Sequence, residues 1–479
     1  MQSIFRVVLL CFSLVVAAVF YSRSTHSPHV SFPLTLHKES SHSFAPHPAI
    51  PHSAIHDLAL GHRISSSSVD VAHSSAVYTI TVGVGSPPQL QTLLVDTGSA
   101  DMLVFSSSSK QCRSSAFGCG GGYNPLDSRT SHNLDMSFVF GFANQSATAR
   151  GSFVRDDVHI GKFLVRDQPF AMIEDSVLDF DIEGVLGLGY KSRQQSDFKY
   201  ETLASKITTA ADQRIESNMR VLSNPHPMFA LYLGSRNEDH DSGIDVSTSS
   251  HSSRLSAYFK LVKNSQKKNL LPKPSLDLGF IDESKHAGDM MAFIPCITDE
   301  DFSLRVQDIK FVSHNNATSL LPPTSNTKIT SNSEIDSEPG IGMLLDSGTI
   351  GILIDDQVAD SIASSIFPNA TYDNSLPGYR LPCSSVSTHH QGHLEFSFSV
   401  SSSSTKTIRV SLPELRRQLL SSQQQDDECV LDIIRESTYG VGNVLGTSFM
   451  SSVYAAFDVD RHRVGLAQAA FYKHRLSTR

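Results

Sequence analysis

The chain has 479 residues, 39% of them hydrophobic, and a formal net charge of −9. That length exceeds one ordinary core and fits two large lobes. The negative balance, with no basic stripe carrying interleaved aromatics, argues against a nucleic-acid partner.

In chain order, residues 1–23 read as a secretory signal. Arg6 supplies a positive start, and residues 7–21 are apolar except for Ser13. The run is short for a membrane span, so no stable span is expected; an uncleaved anchor is the competing reading. Residues 24–75 hold nine of the 21 His, with dense Pro and Ser and weak periodicity. They read as a propeptide or a floppy leader. Acidification would charge these His together, which makes pH-driven release of the leader one reading and plain low complexity the other.

From Val77 onward the pattern changes. Residues 78–84 alternate as a strand and Ser86-Pro87-Pro88 turns it. Further β-like runs fall at 91–95, 138–142, 228–233, 394–400 and 454–458. Helical patterns are few, the best at 201–211 and 357–366. Residues 76–234 read as a first lobe and 276–479 as a second. Between them, 235–275 is Ser-rich and polar, carries Lys267-Lys268, and reads as a surface insertion. A second insertion, Ser/Asn-rich, spans 313–338.

Comparison of the chain with itself is more informative. Leu93-Leu-Val-Asp-Thr-Gly-Ser99 matches Met343-Leu-Leu-Asp-Ser-Gly-Thr349. Each copy has three apolar residues, then Asp, a hydroxyl residue, Gly and a second hydroxyl residue. Downstream, Gly184-Val-Leu-Gly187 is echoed by Asn443-Val-Leu-Gly446, 91 residues after the first Asp and 100 after the second. The apolar triplet predicts a buried strand that delivers Asp to a tight turn. Gly98 and Gly348 permit close backbone approach there. Thr97 and Ser347 can bond across to the other lobe, and Ser99 and Thr349 can donate to the carboxylates. Two lobes facing each other would bring Asp96 and Asp346 together on a pseudo-twofold axis. Carboxylates that close cannot both ionise cheaply, so they hold one proton between them. Such a pair can activate a water against a peptide carbonyl with no metal and no cofactor.

These residues resemble the pepsin-like aspartic proteases over about 77–469. Val82-Gly-Val-Gly-Ser-Pro-Pro-Gln89 is similar to that family's first strand and turn. Residues 277–285 resemble the start of its second lobe, and 444–467 its C-terminal signature. The resemblance implies a mostly β, bilobal fold: two pseudo-twofold-related, β-barrel-like lobes with the active-site cleft between them. It implies an aspartic endopeptidase acting at acid pH, with Asp96 and Asp346 catalytic. It implies a peptide substrate held extended, the leader as inhibitor through Lys38 or Arg63, a monomer, and secretion or delivery to a vacuole. Cys112–Cys119 and Cys383–Cys429 fit the family's disulfides, which leaves Cys296 as a free, partly buried thiol. Asn144, Asn316 and Asn369 begin glycosylation sequons. A catalytically silent peptide- or inhibitor-binding protein is the alternative reading.

Two positions depart from the family pattern. The flap hairpin carries Phe140, followed by Gly141, where the family has Tyr-Gly, and Leu103 stands where the family has Trp. Losing both hydrogen-bond partners leaves no polar group unpaired, yet it predicts a more loosely ordered flap. The flap also reads as about four residues longer than usual. His389, His390 and His393 lack a completing ligand and read as a solvated loop, not a metal site.

Overall fold

The computed structural model describes residues 30–33, 35–37, 77–113, 121–142, 147–161, 163–176, 183–207, 228–236, 272–313, 316–322, 339–386, 392–401, 403–418 and 428–472. The architecture is mostly β, in three large sheets and one small one.

The first lobe is built on an eight-stranded sheet. The run predicted at 91–95 is the centre of strand Gln89–Asp96. It pairs antiparallel with Val77–Val84 on one side and parallel with Gly184–Gly187 on the other. Met102–Phe105 then pairs antiparallel with Gly184–Gly187. The sheet ends in the long strands Phe163–Ser176, Ala147–Ile160 and His132–Phe142.

The second lobe repeats this plan. Ile341–Leu345 pairs parallel with Val444–Leu445, which pairs antiparallel with Ile352–Ile354. The repeated Val-Leu segment therefore has a physical role. In each lobe it is the strand wedged between the Asp-bearing strand and the next one, so it sets the position of the turn between them. Helix Asp356–Ile366 packs beside this sheet. Asp355 caps it by accepting from the Gln357 amide, and Val358, Ala359, Ile362, Ala363 and Ile366 form its buried face.

A six-stranded antiparallel sheet joins the lobes, with strands Met228–Tyr232 and Val453–Asp458 at its centre. Its neighbours Phe229 and Phe457 stack at 4.7 Å. Apolar residues of both lobes merge into one buried cluster that includes Val95 and Leu345, the residues immediately before the two Asp. Both turns thus sit on rigid, close-packed strands.

Two features differ from the sequence reading. Inside the leader, Val30–Pro33 adds an edge strand to the lobe-joining sheet beside Ser275–Leu278. Thr35–His37 pairs with Val77–Val84 of the first lobe. Main-chain pairing orders these segments despite their low-complexity composition. The stretch read as a surface insertion from 235 begins and ends in the core. Ser235 and Arg236 are buried, as is Ser275, the first residue of strand Ser275–Leu278. Residues 237–271, with Lys267-Lys268, lie outside the described residues. Of the helix expected at 201–211, residues 203–207 are helical and the remainder is outside them.

Candidate active site

Each Asp sits at the mouth of its sheet, where the backbone turns from one buried strand to the next. Its own turn supplies two donors. The Gly98 amide donates to Asp96 Oδ1 at 2.8 Å and the Ser99 hydroxyl donates to Asp96 Oδ2. In the second lobe the Gly348 amide donates to Asp346 Oδ1 at 2.8 Å and the Thr349 hydroxyl to Asp346 Oδ2 at 2.7 Å. Each carboxylate is thereby fixed in rotation by its own loop.

The hydroxyls one residue after each Asp lock the lobes together. Thr97 Oγ1 donates to the Leu345 carbonyl at 2.8 Å and accepts from the Ser347 amide at 3.0 Å. Ser347 Oγ donates to the Val95 carbonyl at 2.7 Å and accepts from the Thr97 amide at 3.1 Å. All four bonds are buried, and together they satisfy the backbone groups of both turns.

The two carboxyl groups face each other across the lobe boundary, each lying against the glycine of the opposite turn. The glycines make that approach possible. A methyl group at Gly98 would lie 2.6 Å from the Asp346 carboxyl carbon, and one at Gly348 would lie 2.7 Å from Asp96 Oδ1. Any side chain at either glycine would collide with the carboxyl of the opposite lobe. Burial first, and the Asp346 carboxylate second, push the Asp96 carboxyl well above the usual carboxylate range. The arrangement therefore retains a proton where an isolated Asp would have lost it.

Around the first loop the structure brings in residues that the sequence reading did not single out. Asp101 is buried, and its carboxylate accepts from the Tyr200 hydroxyl and from the Gln195 amide, both at 2.8 Å. Arg193 Nε donates to the Gly98 carbonyl at 3.2 Å. Behind the second loop, Arg236 bonds Asp432 at 2.8 Å, and Arg417 bonds the other oxygen of Asp432. Glu414 is also enclosed there, accepting from Ser235 Oγ at 2.6 Å and from the Arg236 amide at 2.8 Å. Ser448 Oγ ties this charged group to the loop by donating to the Ile350 carbonyl at 2.8 Å.

The flap hairpin is formed by His132–Phe142 and Ala147–Ile160, and its tip, with Asn144, lies outside the described residues. The expectation of a loose flap meets a contrary arrangement. Phe140 is 2% exposed and Leu103 is equally buried, both in one cluster with Phe138, Phe153 and Tyr200. Phe140 and Phe138 centroids are 4.6 Å apart. The aromatic ring that lacks a hydroxyl is a core residue, so apolar packing holds the hairpin where loose ordering was expected.

Cys383 and Cys429 form a disulfide. Cys112 is disulfide-bonded, and Cys119, its expected partner, is outside the described residues. Cys296 is a free, half-buried thiol, which burial pushes up to about 12, so it stays protonated and unreactive. Asn316 and Asn369 are exposed. His393 Nε2 lies 3.2 Å from Glu395; His389 and His390 are outside the described residues.

A bilobal, mostly β molecule with one Asp-Thr/Ser-Gly turn from each lobe meeting at the lobe boundary defines the pepsin-like fold. The chain belongs to the eukaryotic aspartyl protease family, whose model matches residues 77–250 and 255–469. Among curated proteins it is similar to secreted aspartic protease 3 of Candida albicans, at 24% identity over 84% of this chain and 82% of the relative. It is also similar to candidapepsin-4 of Candida albicans strain WO-1, at 25% identity over 84% of this chain and 79% of that protein. Secreted aspartic protease 8 of Candida albicans is 23% identical over 82% of this chain and 76% of the relative. Among the described residues no helix is long and apolar enough to cross a membrane.

Proposed function

We propose that this protein is a secreted aspartic endopeptidase that hydrolyses peptide bonds at acid pH through one water activated by Asp96 and Asp346. The observation that carries the reading is the approach of each carboxyl to the glycine of the opposite turn, with the raised proton affinity of Asp96. One carboxyl, ionised, takes a proton from the water. The water attacks the peptide carbonyl, and the other carboxyl donates its proton to the carbonyl oxygen. Collapse of the tetrahedral intermediate returns a proton to the departing nitrogen. The pair acts as a unit, so neither step is assigned to one Asp alone. Thr97, Ser347, Gly98, Gly348, Ser99 and Thr349 position the pair.

The substrate would lie extended beneath the flap, adding a strand to the free edge of His132–Phe142. The leader would act as the inhibitor, docked through the edge strands Val30–Pro33 and Thr35–His37. Secretion is proposed from the signal-like start and from the names of the relatives.

The test uses the purified protein at about pH 4, in the acid range where a carboxyl pair holds one proton. Cleavage of a peptide with an apolar pair at its centre should occur, stop with a statine-containing transition-state analogue, and vanish in Asp96→Asn. Cleavage that persists in Asp96→Asn, or that the analogue does not touch, would refute the assignment.

A further inference from the structure

Among the described residues the strand His132–Phe142 is the last in its sheet, with a strand partner on one edge only. Gly141 lies opposite Thr148 in the hairpin register. In an antiparallel ladder a residue points its N–H and C=O to the same side. Both groups of Gly141 meet the side chain of Gln195. The Gly141 amide donates to Gln195 Oε1 at 3.1 Å, and Gln195 Nε2 donates to the Gly141 carbonyl at 3.0 Å. Both groups of Gly141 therefore face the open edge, where an added strand would pair.

The Gln195 carboxamide presents one N–H and its carbonyl oxygen on the same side, as a strand residue presents its own N–H and C=O. Gln195 thus occupies the place of one residue of an added strand. It is held there from behind. Its own amide donates to the buried Asp101 carboxylate, which Tyr200 also binds. Lys199 Nζ donates to the Gln194 carbonyl at 2.7 Å. The same segment reaches the catalytic loop, where Arg193 Nε covers the Gly98 carbonyl, and the second lobe, where Ser192 Oγ donates to the Glu300 carbonyl at 3.0 Å. Gln195 itself is solvent-exposed, so its side chain can swing away at little cost to the core.

We infer that Gln195 is an affinity-determining latch: in the free protein its side chain stands in for one strand residue opposite Gly141, and an incoming extended peptide displaces it. This rests on the proposed reading of the flap edge as the substrate-binding edge. The latch also supplies the flap ordering that Phe140 and Leu103 cannot supply by hydrogen bonding. A substrate or inhibitor must break two hydrogen bonds before it makes its own, so the latch weakens binding and selects ligands that pair with Gly141 through their backbone.

The test compares wild type with Gln195→Met, which keeps length and loses both bonds, and with Gln195→Asn, which keeps the amide but is one methylene short. Neither change touches the core, and unchanged melting temperatures check that. In the free protein, amide exchange of the segment 138–142 should quicken about fivefold in both variants, the loss of about one net hydrogen bond. The Kd for a statine-containing peptide should fall about tenfold, since displacing two such bonds is no longer required. In cleavage assays KM should fall by more than kcat changes, as expected for altered ground-state binding. Unchanged exchange overturns the inference. So does faster exchange with an unchanged or weaker Kd, because the contact would then exist without competing. A wild type that binds the statine peptide and cleaves nothing refutes the peptidase reading and leaves the Gln195 comparison decisive. Absence of binding to every form overturns both.

Discussion

The two Asp-bearing loops are near copies in their inner contacts and unlike in what stands behind them. Within each turn, a glycine amide and a hydroxyl hold the Asp, and a second hydroxyl crosses to the opposite lobe. Behind Asp96 stands a single buried acid, Asp101, surrounded by hydroxyl and amide donors and connected to the flap through Gln195. Behind Asp346 stands a charged group, with Arg236, Glu414 and Asp432 buried and Arg417 half-buried beside them. The comparison teaches that the chemistry is duplicated because both carboxyls must meet on one axis. The supports differ in that the one behind Asp96 also reaches the hairpin, through Gln195.

The strongest way to break the symmetry of the inner contacts is to remove one acid. Asp96→Asn and Asp346→Asn should each lower kcat by about 10³-fold or more, since positioned proton transfer is worth about 10² to 10⁴ and here both transfers fail together. Unequal losses, with one variant near wild-type turnover, would show that the carboxyls do not act as a pair. Next in size is the support behind Asp346. Arg236→Met leaves Asp432 and Glu414 buried with one cation fewer and should cost about 3–5 kcal/mol. Denaturant unfolding would measure that loss, and a change under about 1 kcal/mol would mean the group is open to water.

Smaller effects probe the first lobe. Phe140→Tyr should destabilise by about 1–3 kcal/mol, because it places a hydroxyl inside a sealed apolar cluster. Leu103→Trp should not rescue it, since Leu103 is buried among packed side chains and an indole is larger than the side chain it would replace. A stabilised double variant would show that the hairpin can reopen a polar contact there. Tyr200→Phe should cost least, about 1 kcal/mol, because Asp101 keeps the Gln195 amide as a donor. Thermal unfolding resolves each of these.

How much of this was legible in the sequence follows from repetition. Asp96 and Asp346 could be found because their turns occur twice, each with a Val-Leu strand downstream whose wedging role the sheets explain. Gln195 and Asp101 occur once, in stretches without periodicity, and only the tertiary fold brings them to Gly141 and to each other. Arg236 was hidden by composition. It is the second residue of a Ser-rich polar run, yet it lies only four residues after the apolar strand Met228–Tyr232, and that closeness was the signal that it continues the core. The leader strands were invisible for a related reason. Edge pairing is made by the main chain and leaves little mark on residue type.

The central claim is that the two carboxyls share one proton, and the pH dependence of stability tests it. An Asp whose proton affinity is raised in the folded state keeps its proton after the unfolded chain, with an ordinary value of about 3.9, has lost it. Folding is then favoured below that value and weakened as pH climbs through the folded-state value of Asp96. Asparagine carries no such penalty. The melting temperature of Asp96→Asn minus that of wild type should therefore increase steadily from about pH 3 to about pH 7. A difference that stays flat across that range would mean that Asp96 ionises like an isolated surface carboxyl, and the shared proton would have to be abandoned.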